Sequence, residues 1–316
     1  MPSLLAPPTR LAHLGILRFS GADALSFLQG QISNDTQRLA GNETLFAAYS
    51  TAQGRVLALI YLLPHSSGVA AILPREILQA TLERMRKFVL RAKVRIEDAG
   101  ESLVVGGGIG ADPMAAKGYA EQDGIGIAPV GHDLIRRWVI GPPQSFAAAA
   151  ADAAAAAAEV PETAWRLADI RAGLPQVYAA TSEAFVAQML NLDLLDGISF
   201  TKGCYTGQEI IARTQHLGRI KRRLHRLQLP SGSWSIGQTL RLADGRQGRL
   251  TEVIDSGGRA EALAVLNLEA NPAAAEANAP VAGETNAPVA GEEPGELVRA
   301  SELPLPYSLL GTHVRE

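Results

Sequence analysis

The sequence feature that most limits the fold is a change of pattern near residue 222. Before it, strand-like and helix-like segments follow one another without regular alternation. After it, from Leu224, the chain turns to short β-like runs separated by Gly, Asp and Pro. Among the early segments, residues 14–19 read as a strand, and Ser20 and Asp23 start a helix by capping and by favouring its positive end. That helix carries Leu25, Phe27 and Leu28 and stops near Gly30. Residues 44–50 and 55–63, split by Ala52-Gln53-Gly54, predict a β-hairpin. Pro74 opens a second helix with Ile77, Leu78, Thr81, Leu82, Met85 and Phe88 at helical spacing. Residues 90–96 then alternate with period two, placing Arg91, Lys93 and Arg95 on one strand face and Leu90, Ala92, Val94 and Ile96 on the other. Such mixing predicts α+β units with antiparallel sheets and not a doubly wound parallel sheet. The later runs, 227–229, 239–242, 250–254 and 262–268, predict a small antiparallel β-barrel or sandwich. The expected division is therefore a body over 1–222 and a β domain over 223–316. The glycine-rich VVGGGIG of residues 104–110 is not a dinucleotide loop, since no helix with an acidic partner follows at the right distance.

Composition narrows the function. The chain has 316 residues, 29 basic and 32 acidic, so its net charge of -3 leaves nucleic-acid contact to a local patch. A single cysteine excludes an internal disulfide and any multi-cysteine metal cage. No stretch approaches the ~20 apolar residues needed to span a bilayer, and the N-terminus does not read as a signal peptide, so a cytoplasmic protein is expected. Two segments are of low complexity. The alanine tract at 147–158 predicts a surface helix, and the tandem NAPVAGET/NAPVAGEE at 278–293 predicts a disordered insertion spanning about 271–295.

The lone thiol lies in KGCYTGQE, Lys202 to Glu209. Thr206-Gly207-Gln208-Glu209 has the form of a capping box before the apolar Ile210, Ile211 and Ala212. Cys204 then sits just outside a helix N-terminus, where unpaired amides and Lys202 would lower a thiol's pKa. Gly203 and Gly207 would leave the backbone open to a partner. The other reading is a small buried hydrophobe, common for free cysteines. Local chemistry leaves both standing.

The segment FVAQMLNLDLLDGISFTKGCYTGQEIIAR (185–213) resembles the signature region of the YgfZ folate-binding family, relatives of the glycine-cleavage T-protein. SGADALSFLQGQISND (20–35), WRLADIRAGLP (165–175) and PLPYSL (304–309) extend the likeness over nearly the whole chain. The resemblance implies a T-protein-like ring of two ferredoxin-like α+β units forming a folate-binding body, plus a C-terminal antiparallel β-barrel. It implies tetrahydrofolate or a derivative as cofactor and Cys204 as the functional thiol. It also places folate contacts at Trp165, Lys202, Gly203, Tyr205, Gly207, Gln208 and Glu209. Taken alone, Trp165 reads as core packing; with the resemblance, its indole is suited to stack on a pteridine. A second folate-associated tryptophan of some members aligns near Leu14, so that aromatic is missing here.

Departures from the T-protein pattern bear on chemistry. The aspartate pair of those enzymes aligns with Ala58 and Leu59, and the glutamate of their R-x-E-x-G segment with Arg171; neither a methyl nor an isobutyl group can replace a carboxylate acting on a folate nitrogen. The implied function is a folate-binding accessory protein that supports iron-sulfur cluster assembly or repair and iron-sulfur-dependent tRNA modification, with iron-sulfur client or assembly proteins as partners. The alternative is a tetrahydrofolate-dependent one-carbon transferase acting on RNA or protein. Arg219, Lys221, Arg222 and Arg223 could make a weak tRNA contact, or serve as a charged strand edge. His216 lies 12 positions after Cys204, but one Cys and one His make no metal site.

Overall fold

The structure is a computed structural model that describes residues 4–100, 102–110, 118–131, 133, 135–153, 160–216, 220–269 and 296–309. The tandem repeat, Arg219 and the end of the alanine tract lie outside those residues. The chain forms two compact units: Met1–Tyr49, Leu57–Trp165 and Asp196–Thr206, and Ser50–Val56, Arg166–Leu195 and Gly207–Glu316. The C-terminal sheet thus shares a unit with two earlier segments, and the cut between units does not fall at residue 222.

Among the described residues the first unit holds ten strands and three α-helices: β1 (Thr9–Arg10), β2 (Leu14–Ser20), α1 (Ala24–Gln29), β3 (Leu45–Ser50), β4 (Val56–His65), β5 (Gly68–Pro74), α2 (Arg75–Arg86), β6 (Arg95–Asp98), β7 (Val104–Ile109), β8 (Ala120–Gln122), β9 (Ile125–Pro129), β10 (Arg136–Gly141) and α3 (Pro143–Ala153). One five-stranded sheet has the order β3-β4-β5-β2-β6, the other β1-β7-β10-β9-β8. Helix α2 buries Ile77, Leu78, Thr81, Leu82 and Met85, the stripe its spacing predicts. Ile77, Leu78, Leu82 and Met85 join Phe19, Phe27, Leu28 and Leu62 in one core, each fully buried aliphatic or aromatic side chain contributing about 1.5–3 kcal/mol.

Three expectations need correction. Ser20 ends β2, and the cap position of α1 is Asp23, whose carboxylate makes no cap bond but accepts the Lys93 backbone N–H at 2.6 Å. Phe88 falls beyond α2 and is 44% exposed. The strand expected from Leu90 begins only at Arg95, because Leu90 adopts a left-handed φ of 43° in a turn. Alternation of exposure still runs through that stretch, with Arg91, Lys93 and Arg95 outward.

The triple glycine of β7 is strand and not loop. A Cβ on Gly106 would lie 2.4 Å from the Phe146 ring, and one on Gly107 2.3 Å from the Trp165 ring. Glycine is what lets two aromatic rings seat directly on the sheet.

Helix α4 (Glu162–Ala172) follows, ending before Gly173 at φ 65°, as a glycine after the last turn predicts. In the second unit, α5 (Gln208–His216) precedes a six-stranded half-barrel sheet of β11 (Arg222–Pro230), β12 (Thr239–Leu242), β13 (Gln247–Asp255), β14 (Arg259–Asn267), β15 (Glu296–Val298) and β16 (Ser301–Leu303). Its order is β15-β12-β13-β14-β11-β16, antiparallel except for the parallel β12–β15 pair. A bulge between Leu250 and Glu252 bends β13, and Leu227, Leu229, Leu240, Leu250 and Leu266 fill its core.

Candidate functional site

Two stretches far apart in sequence meet in the first unit: residues 29–35, just after α1, and residues 196–206, which carry Cys204. The Ser33 hydroxyl donates to the Gly197 carbonyl at 2.6 Å and Asn34 Nδ2 to the Asp196 carbonyl at 2.6 Å. The Ser199 and Thr206 backbone N–H groups return to the carbonyls of Ser33 and Gly30. At the centre is Lys202. Its buried ammonium donates to the carbonyls of Gln29, Ile32 and Asn34 at 2.7, 2.8 and 2.8 Å and lies 4.8 Å from the centre of the Tyr205 ring. An ammonium has three N–H donors, so these three bonds use its capacity and leave none for a ligand. One of the carbonyls, that of Gln29, is an orphan of the helix end. Burial lowers the Lys202 pKa to about 8, opposed by the charge of Asp35. Burial also pushes the Tyr205 phenol up to about 12.

Between these two buried side chains the loop presents Gly203 and Cys204. Cys204 is exposed, which removes the buried-hydrophobe reading. No atom lies within 4 Å of where a Gly203 Cβ would stand, so the surface beside the thiol is open. Gly207 is different: it is buried, has φ 84°, and its Cβ would meet the Thr51 carbonyl oxygen at 2.5 Å. Its role is steric and not access.

The capping box is not made. Helix α5 begins at Gln208, one position later than a Thr206 cap requires. The Thr206 N–H bonds to Gly30, and the Glu209 carboxylate, largely exposed, lies 3.7 Å from Arg213 one turn on. Gln208 is half-buried and His216 exposed.

Trp165 is 1% exposed. Gly107 lies under its ring, the Arg136 guanidinium stands 5.1 Å from its centre, and Trp138 packs at 5.8 Å. Through Trp138 the stack continues to Tyr61 and Phe46 at 5.1 and 4.4 Å. Trp165 is thus the end of a core aromatic row, and its Nε1, like that of Trp138, is buried without a partner among the described residues. A pteridine has no open face of this indole to stack on.

Ala58 and Leu59 are fully buried in β4, so no carboxylate occupies that place. Arg171 bonds Glu261 at 2.6 Å, and Arg226 bonds the same carboxylate at 2.6 Å. One member of the basic run is likewise occupied. Arg223 is buried in a two-pronged pair with Asp193 at 2.6 and 2.8 Å and also donates to the Gln188 carbonyl. It cannot reach a phosphate, which removes Arg223 from the four residues expected to contact tRNA; Arg222 is half-buried and Lys221 exposed. Sequence reasoning missed the carbonyl cradle of residues 29–34 and the acids Asp193 and Glu261. The quoted likeness over 20–35 was the only signal for the cradle, and backbone carbonyls leave no mark in side-chain identity. Among the described residues no cluster of three His, Cys, Asp or Glu is placed to hold a metal.

No protein-family model matches the chain. Its fold is that of the glycine-cleavage T-proteins: it superposes on aminomethyltransferase T of the glycine cleavage system from Bartonella henselae with a TM-score of 0.59, over 84% of this chain and 80% of that one, at 14% identity. Curated relatives called tRNA-modifying protein YgfZ are similar in sequence. The one from Hamiltonella defensa is 30% identical over 242 residues, 73% of this chain and 70% of the relative. That from Pectobacterium carotovorum is 29% identical over 216 residues, and the match spans 65% of its length. The chain belongs to the YgfZ family.

Proposed function

We propose that this protein supports iron-sulfur-dependent tRNA modification and that Cys204 is its reacting group. The observation that carries the reading is the exposure of the lone thiol on a loop anchored by Lys202 on one side and by the buried Tyr205 on the other. A thiol held at a fixed place can attack a disulfide or ligate one iron of a cluster. One cysteine cannot hold a cluster alone, so the remaining thiolates belong to the client. The cluster is cargo in this reading.

Tetrahydrofolate is the ligand class that the family likeness brings with it. Trp165, Lys202, Tyr205 and Gly207 do not fit it: the first is covered, the second has spent its donors, and the last two are buried. A folate site would lie at other residues, and no step above passes through it. Aminomethyl transfer of the T-protein kind lacks its carboxylate, since Ala58 and Leu59 stand there.

The test is the activity of cluster-dependent tRNA-modifying enzymes in cells lacking the protein, with and without air. Activity should fall, return with the wild type and stay low with Cys204→Ser. Unchanged activity in the deletion strain, or full rescue by the serine variant, overturns the reading.

A further inference from the structure

We propose that the turn between α2 and β6 is an RNA-docking edge, with Lys87, Arg91 and Lys93 on phosphates and Phe88 and Leu90 against an unpaired base. Residues 84–95, RMRKFVLRAKVR, carry six cations and no acid in a chain whose net charge is -3. The end of a helix explains part of this. Arg84 and Arg86 lie in the last turn of α2 and Lys87 caps it, where cations suit the negative pole. It does not explain Arg91 or Lys93.

Nor are these charges absorbed by the fold. Arg86 donates to the Ile96 carbonyl through Nε and Nη2 at 3.1 and 2.7 Å, and Arg95 pairs with Glu97 at 2.7 Å. Lys87, Arg91 and Lys93 are exposed and make no side-chain bond among the described residues. Acids of adjoining elements are engaged elsewhere: Glu97 with Arg18, Asp23 with the Lys93 backbone N–H, Glu83 with Gln79.

The apolar side chains beside them point the same way. Leu90 is 89% exposed, far more than any other large hydrophobic residue described, and Phe88 is 44% exposed. Leu90 also holds φ 43°, a conformation that glycine or asparagine adopts at less cost. The turn is fixed by Val89 N–H to Arg86 O at 3.2 Å and Ala92 N–H to Val89 O at 2.8 Å. A large apolar side chain is therefore displayed on an ordered turn between free cations.

A linear polyanion with unstacked bases suits that arrangement. Lys87, Arg91 and Lys93 are all exposed within seven residues, with Phe88 and Leu90 exposed between them, and base faces stack on aromatic rings whatever the sequence. Two apolar side chains offer too little area for a membrane-surface helix. That the RNA is tRNA rests on the function proposed above; the docking edge does not.

The experiment measures binding of the full chain to bulk tRNA by fluorescence anisotropy from low to high salt. Wild type is compared with the triple variant Lys87→Glu/Arg91→Glu/Lys93→Glu and with Phe88→Ala/Leu90→Ala, each checked for folding by circular dichroism. The triple variant should bind about tenfold or more weakly at low salt, and its slope of log K against log salt should shrink by about 2, the share of three single-strand phosphates. The apolar variant should lose affinity with the slope unchanged. Equal binding by the triple variant, no binding by wild type at low salt, or charge-dependent sedimentation with phosphatidylserine vesicles in place of tRNA binding overturns the edge. If cells lacking the protein lose tRNA modification and the triple variant restores it fully, the edge fails and the function stands. If the deletion strain is unaffected, the function fails and anisotropy alone decides the edge.

Discussion

Two basic stretches, residues 84–95 and 221–226, look alike as sequence and are opposite as structure. Both are cation-rich segments leading into or forming a strand. In the second, Arg223 is paired with Asp193, Arg226 with Glu261, and His225 with Glu302. In the first, Lys87, Arg91 and Lys93 stand in solvent. The acids that decide the difference lie 30 to 77 residues from the cations they bind. A count of local charge therefore says nothing about whether that charge is available to a partner; distant carboxylates settle it.

The sharpest way to break this contrast is Arg223→Ala, which leaves Asp193 charged and buried. It should cost about 3–5 kcal/mol in urea unfolding, whereas Arg91→Ala should stay within about 0.5 kcal/mol. Similar losses for the two would end the distinction. Lys202 offers a third case, a cation buried against carbonyls without a bonded carboxylate. Lys202→Met should cost about 1–3 kcal/mol, because three carbonyls lose their donor.

That same lysine supplies a pH signature. Its pKa is about 8 when folded against an ordinary 10.5, so between those values the unfolded chain binds more protons and stability rises with pH. The wild type should gain on Lys202→Met by up to about 1.4 kcal/mol per unit across that window. A flat difference would show that the carbonyls hold the ammonium near its ordinary value. On the acid side, burial pushes Glu261 up, but Arg171 and Arg226 together hold it below its ordinary 4.5. Its contribution is complete above that value and lost as pH falls through the lower folded one. An Arg226→Gln chain should therefore show a gentler acid transition than an Arg91→Gln chain. The smallest effect is expected at Cys204→Ser, within about 0.5 kcal/mol, while iodoacetamide should label wild-type Cys204 without denaturant. Labelling only in denaturant would remove the exposed thiol from the argument.

Much of the fold was legible because it rests on periodicity. Helix α2 and strands β2, β4 and β11 to β14 follow from apolar spacing and turn residues within each segment. Leu90 was not legible: alternation places it inward, and only its left-handed backbone turns it out. At the site, Cys204 and Gly207 could be singled out from KGCYTGQE, yet the burial of the Lys202 ammonium could not. Its acceptors are backbone carbonyls, 168 to 173 residues away, which any side chain could carry. Trp165 taken alone reads as core, and it is buried; what sequence could not place is the glycine beneath its ring, which sits in a strand far from it along the chain.

The seat of Trp165 on Gly107 has a consequence for how this protein can drift. A Cβ at 107 would stand 2.3 to 2.5 Å from three ring atoms, so even alanine there overpacks the row. A lineage can enlarge residue 107 only after residue 165 has shrunk, and shrinking 165 first opens a cavity in the row. Either order passes through a less stable ancestor. Homologues should therefore hold to one of two pairings, glycine with a large aromatic or a larger residue with a small one, with few sequences between.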